Sequence, residues 1–327
     1  MRSRVVPAVA GVSLLVAAAV IAALWLGGSG PRPSGPKAAA TQPGRAASAA
    51  SAAPAASAAG SLRASPSPSP SPSPSSSGPG QPQDPLGTAA ASYLAGRTGT
   101  VLAAVSDLRT GQTWYLGRGQ PQAEASVVKL DVLETLLAEQ GRSGTGLSAT
   151  DQELAGQMIE DSDNDAATSL WYQVGGASGI RSFNAAAGLA DTTPSSCVNC
   201  PGFPWPGWGL STTTPADQLA LLRALIEPNS VLTAAERRYA LSLLENVTPA
   251  QRWGVSGGVP AQATVALKNG WLPLDSAGVD WQINSVGWIS GHGRDYLMAV
   301  LSTGNPTEQY GIDTISQLAA MVWNGLA

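Results

Sequence analysis

The sequence predicts an α/β chain of the α+β type, in which one antiparallel sheet is flanked by helices and a helical subdomain is inserted between its strands. Three observations predict it. Strand patterns stand at both ends of the last 241 residues, helical periodicity fills the middle, and a low-complexity leader precedes them all. A sheet completed by distant segments around a helical insert leaves a groove between the two parts, and a groove is the natural place for a site.

Met1-Arg-Ser-Arg4 precedes Val5 to Leu26, 22 residues without a formal charge. Such a run spans a bilayer as one helix, and the basic residues ahead of it keep the N-terminus inside. The apolar core of a secretory signal is shorter, about 7–15 residues. The nearest Ala-x-Ala site, Ala38 to Ala40, also lies well past the run. Residues 1–28 therefore read as a cytoplasmic tip and an uncleaved signal-anchor, which makes the chain a single-pass membrane protein with its C-terminal part outside. A cleaved signal, with secretion of the remainder, is the alternative. The cysteines are Cys197 and Cys200, so none follows the run to carry a lipid. Residues 29–86 are rich in Ala, Pro and Ser and include the repeat from Ser65 to Pro74. That composition cannot build a core and favours extended conformers, so it reads as a disordered stalk suited to work in a cell wall.

The remaining residues, 87–327, form the domain. They carry 12 basic and 21 acidic groups, net −9. That balance repels a polyanion, so no nucleic-acid partner is expected. One histidine, His292, and two cysteines are too few for a His/Cys metal cage, and no metal or other cofactor is expected.

Leu86 to Leu94 suits a short helix, and Thr100 to Ser106 with Thr113 to Leu116 reads as a hairpin around Arg109-Thr-Gly-Gln112. After Pro121 the period changes. Val127, Val128, Leu130, Val132, Leu133, Leu136 and Leu137 make a broad apolar helical face. Later helix starts are marked by Thr150-Asp-Gln-Glu153, Thr214-Pro-Ala-Asp217 and Thr233-Ala-Ala-Glu236, each a hydroxyl cap with an acid three residues on. Strand character returns over 264–268, 281–289 and 296–302, and Gln309 to Trp323 closes the chain as an amphipathic helix. The helical insert is thus expected at about 123–261.

The chain has three lysines, Lys37, Lys129 and Lys268, against 15 arginines. Arginine serves wherever a surface cation will do, so the two lysines of the domain need another explanation. Unlike arginine, a buried lysine can lose its proton and act as a base. Lys129 follows Ser126 by three residues and shares its helical face, so it can activate that hydroxyl, while the helix N-terminus offers N–H groups to an oxyanion. Ser162-Asp163-Asn164 lies between two helical segments. Lys268-Asn269-Gly270 ends an apolar strand, where a lysine needs a partner or a purpose.

Together, Ser126-Val-Val-Lys129, Ser162-Asp-Asn164 and Lys268-Asn-Gly270 resemble the three motifs of class A β-lactamases and penicillin-binding serine hydrolases. The likeness covers about 87–327 and extends to Ser211-Thr-Thr-Thr-Pro215, which resembles the segment after the family's omega loop. The resemblance implies a β-lactamase/transpeptidase-like fold and these roles. Ser126 is the acylated nucleophile, Lys129 activates it directly or through water, and Ser162 relays a proton to the leaving nitrogen. Asn164 holds the substrate amide, Lys268 and Asn269 hold its carboxylate, and the N–H groups of Ser126 and Trp271, which follows Gly270, meet the oxyanion. The partner is then a small-molecule β-lactam or a peptidoglycan stem peptide.

Three departures matter, the first being an interval between the Ser126 and Ser162 motifs shorter than is usual for the class, so that part of the helical insert is expected to be trimmed. Asn269 stands where the family has Thr or Ser. From Thr192 to Gly209, where a class A enzyme carries its deacylating glutamate, there is no Asp or Glu. Water is a poor nucleophile at neutral pH, so slow turnover or trapping is expected. β-Lactamase-like hydrolysis is the leading reading. A D,D-peptidase-type enzyme and a non-turnover penicillin or peptidoglycan sensor are the alternatives. Cys197-Val-Asn-Cys200 in an exported chain reads as a short local disulfide. His292, between two strands, reads as a hairpin tip.

Overall fold

The computed structural model describes residues 83–326, apart from 118, 202, 276 and 277. The expected anchor and nearly all of the stalk, through residue 82, lie outside the described residues. Among the described residues no helix is long and apolar enough to cross a membrane.

β1 (Thr100–Asp107) turns back as β2 (Thr113–Leu116), forming the expected hairpin. The other long strands come after the helical insert: β5 (Thr264–Pro273), β6 (Trp281–Gly291) and β7 (Arg294–Asn305). The sheet order is β2-β1-β7-β6-β5, with every neighbouring pair antiparallel. The first strand thus pairs with the last, so the sheet closes only when both ends of the domain meet. His292 sits with φ 50° between Gly291 and Gly293 at the β6–β7 tip.

Both faces of the sheet are covered, which is why its central strands read as continuous apolar runs. Tyr296, Met298 and Val300 of β7 pack in one core with Ala90 of α1 (Thr88–Ala95) and with Ile315, Leu318 and Val322 of α8 (Glu308–Gly325). Leu297 and Ala299 point the other way, into the core of the insert. On β5 the same alternation sends Val265 and Leu267 toward α8 and Ala266 toward the insert. A strand has a side-chain period of two, so Lys268 and Gly270 follow Ala266, and Asn269 follows Leu267.

The insert is built around α2 (Val128–Ser143), buried from Val128 to Ala138. Around it lie α3 (Ala149–Glu160), α4 (Asn164–Gln173), α5 (Gly176–Ala187), α6 (Pro215–Ile226) and α7 (Ala234–Glu245). Thr214 caps α6 and the Thr233/Glu236 box caps α7, as expected. The α3 cap differs. Ser148, not Thr150, is the extended residue, and it forms a reciprocal box with Asp151, so the helix starts two residues before the expected place. Two strands too short for any periodicity, β3 (Gln122–Ala123) and β4 (Thr212–Thr213), pair with each other. They tie the chain entering α2 to the end of the 192–211 loop.

Candidate active site

Ser126 lies in a single 3-10 turn, Ala125–Val127, that runs directly into α2. Ala125 has φ 49°, a left-handed conformation that costs an L-residue roughly 1–2 kcal/mol. What holds the turn is β5. A Cβ on Gly270 would come 2.7 Å from the Ser126 nitrogen and 2.8 Å from the Val127 nitrogen, so only glycine lets the strand pass this close. Ser126 is half-buried and faces a groove lined also by Asn164, Phe203, Trp205, Trp208 and Trp271.

Both lysines converge on Ser162. Lys129 Nζ donates to the Ser162 carbonyl at 2.5 Å, to Ser162 Oγ at 3.1 Å and to Asn164 Oδ1 at 2.7 Å. From the sheet side, Lys268 Nζ donates to the same Ser162 Oγ at 2.9 Å and to the Asn269 carbonyl at 2.9 Å. Ser162 itself is buried with φ 58°, a bent presentation that points carbonyl and hydroxyl at one amine. Both lysines are almost wholly buried. Burial, with Lys268 adding to it, pushes the Lys129 amine well below the ordinary lysine range, against the opposing pull of Asp163. Burial brings Lys268 down to about 7. Two desolvated amines around one hydroxyl can pass a proton through it.

The structure departs from expectation at two points. Among the described residues Ser126 Oγ has no hydrogen-bond partner, because Lys129 spends its three donors on Ser162 and Asn164. Asn269 does not face the groove. It is buried on the α8 side of β5, where its amide donates to the carbonyls of Gln251 and Trp253 at 2.6 and 3.2 Å. The period of the strand is the reason: a residue directly after Lys268 must point to the opposite face. Asn269 therefore braces the 249–256 segment instead of reaching a substrate carboxylate. Trp271 stays at the groove, half-buried and edge-on to Trp253 at 6.1 Å. It lies on the end strand of the sheet, paired with β6 alone.

The loop without acids closes the groove with aromatic rings. Cys197 and Cys200 form the expected disulfide. Beyond it a 3-10 turn, Gly207–Leu210, brings Trp208 to the site, with Trp205 tilted against it at 6.2 Å. The Trp208 ring centroid lies 5.1 Å from Lys129 Nζ.

The sequence reading missed a second buried polar cluster. Glu124, Asp131 and Glu134 are fully buried beside Asn184 and Gln218, and five of their six carboxyl oxygens have no hydrogen-bond partner. Burial raises all three carboxyls, Asp131 to about 8. Among the described residues no three acids are placed to hold a metal ion. The signal was available: Asp131 and Glu134 interrupt a helix that is apolar on all sides, which leaves them no solvent face.

Known proteins share this arrangement of chain. TLA-1 extended spectrum beta-lactamase superposes with TM-score 0.67 at 18% identity, covering 75% of this chain and 99% of that one. A class A beta-lactamase from Mycobacterium abscessus gives 0.59 at 22%, covering 72% and 96%. A point mutant of PBP-A, solved as an acyl-enzyme complex with penicillin G, gives 0.60 at 19%, covering 72% and 92%. These likenesses show the fold. In sequence, LppW of Mycobacterium tuberculosis and of Mycobacterium bovis, named as a lipoprotein, is 29% identical over 234 residues, 70% of this chain and 71% of theirs. The model of the Beta-lactamase enzyme family matches residues 140–326, more than half of the chain and inclusive of both the Ser162 and Lys268 motifs. The chain belongs to the beta-lactamase enzyme family.

Proposed function

We propose that residues 87–327 are an extracytoplasmic serine hydrolase that forms an acyl-enzyme on Ser126 with β-lactams or D-alanyl peptides, most simply in β-lactamase-like hydrolysis. One observation carries the reading: Ser162 Oγ lies within 3.1 Å of both lysine amines, and Lys129 also binds Asn164, which lines the groove that Ser126 faces. Ser126 Oγ attacks the substrate carbonyl and gives its proton to Lys129, directly or through a water. The oxyanion is met by the N–H groups of Ser126 and Trp271. As the C–N bond breaks, Ser162 protonates the nitrogen and is reprotonated from the flanking amines. Asn164 and Lys268 hold the amide and the carboxylate of the substrate.

Release of the acyl group needs an activated water, and from Thr192 to Gly209 no carboxylate can supply one. That absence favours a second reading, a penicillin or peptidoglycan sensor that acylates and holds. The likeness to a protein solved as a penicillin G acyl-enzyme supports the acylation step common to both. The domain is carried outside the membrane, on a stalk of residues 29–86 behind an N-terminal anchor of residues 1–28. The related LppW is named a lipoprotein, whereas this chain has no cysteine ahead of Cys197.

The test is intact-mass spectrometry of the full chain and of Ser126→Ala after exposure to benzylpenicillin. Rapid adduct loss with product indicates hydrolysis, and a long-lived adduct on the unsubstituted chain indicates a trap. No adduct and no product at any dose rejects the assignment.

A further inference from the structure

Trp208 is held from three sides. Its Nε1 donates to Thr168 Oγ1 at 3.2 Å, one turn along α4 from Asn164, which itself binds Lys129. Behind it, the Gly207 N–H donates to the Cys197 carbonyl at 2.7 Å, and a side chain at Gly207 would collide with Cys200 Sγ. On the far side, Gly209 packs on Ala125, where a Cβ would lie 3.7 Å from the Ala125 Cα. The turn is thus wedged between the disulfide and the nucleophile turn, and Trp208 is 5% exposed. Lys129 has an acceptor for each of its three N–H donors, and its amine lies over the Trp208 ring at 5.1 Å from the centroid.

We propose that Trp208 is a positioning residue for the Ser126 chemistry: its ring screens the Lys129 amine from bulk water, so that the amine is left to Ser162, Asn164 and the proton that Ser126 gives up. This rests on the function proposed above. An indole face attracts an ammonium but offers a neutral amine no competing hydrogen bond, so the base stays dry in both of its states. The screen also has a cost in turnover, because a ring that keeps water off Lys129 keeps water off the neighbouring acyl group.

The chain has only three lysines, so a sample labelled with 13C at lysine Cε gives three signals, whose shifts report each amine's titration. With Trp208→Ala, the Lys129 midpoint should rise by at least about one pH unit as water enters. Lys268 should stay at about 7, which shows that the fold is kept. Trp208→Phe, which keeps a ring, should move Lys129 less. An unmoved Lys129 midpoint beside an unmoved Lys268 overturns the proposal. If Trp208→Ala unfolds the domain, Trp208→Leu decides: folded with Lys129 unmoved, it overturns the proposal; folded with Lys129 raised, it supports it. The acid limb of acylation by benzylpenicillin should move with the Lys129 midpoint. Should Ser126 never be acylated, the proposed function fails, while the titration still decides the role of Trp208.

Discussion

The start of α2 separates two buried clusters of opposite chemistry. Lys129 and Lys268 are buried, with three and two acceptors respectively, around one hydroxyl, and Asn164, bound by Lys129, lines the groove. Glu124, Asp131 and Glu134 are buried just as deeply, yet most of their oxygens have no partner. Burial drives both sets toward neutrality, the amines by losing a proton and the carboxyls by keeping one. The difference lies in what neutrality makes available. A neutral amine beside a groove is a base, whereas a neutral carboxyl sealed in a core can only be ionised at a cost in stability.

The largest effect should come from the lysine side. Lys129→Ala should slow acylation of Ser126 by about 10²–10⁴-fold, the usual worth of a positioned proton acceptor. Stopped-flow quenching followed by mass measurement reads this directly, and an unchanged rate would remove Lys129 from the chemistry.

The acid side should answer in stability. Asp131 titrates near 3.8 when unfolded and about 8 in the fold. The native state therefore holds the extra proton across that window, and this group's contribution falls as pH rises through it. Asp131→Asn keeps the shape without the charge. It should raise the unfolding temperature by at least about 3 °C at pH 8.5 and by less than about 1 °C at pH 4. Equal shifts at the two pH values would mean that Asp131 is ionised in the native state.

Gly270→Ala tests the backbone contact that both clusters lean on, since its Cβ would also come 2.9 Å from the Glu124 carbonyl. Denaturant unfolding should show a loss of about 1–3 kcal/mol, together with slower acylation. The smallest effect belongs to a site remote from both clusters. Thr233→Ala removes the α7 cap and should cost about 1 kcal/mol with acylation unchanged. A change in acylation there would show that the insert transmits helix stability to the groove.

Most of the fold was legible because its signals are periodic or local. The hairpin at 100–116, the Thr214 and Thr233 caps and the closing helix α8 all follow from patterns a few residues long. The convergence of Ser162 and Lys268 was legible only through the motif resemblance, since they lie 106 residues apart in sequence. The misplacement of Asn269 was avoidable: a period of two from Leu267 sends it to the α8 face. The position of Trp208 over Lys129 was not. It depends on how an irregular loop is pinned by Gly207, the disulfide and Thr168, and no period encodes that. The acid cluster escaped because the apolar residues of α2 set its pattern, and Asp131 and Glu134, which interrupt it, have no period of their own.

Arginine carries every other basic side chain in the described domain, and both of its lysines are almost completely enclosed. An amine-specific reagent therefore finds no exposed side-chain target on the surface of the folded domain. Acetylation at 129 or 268 marks either entry by way of the groove or opening of the molecule, and a ligand that fills the groove separates the two in a mixture without any added tag.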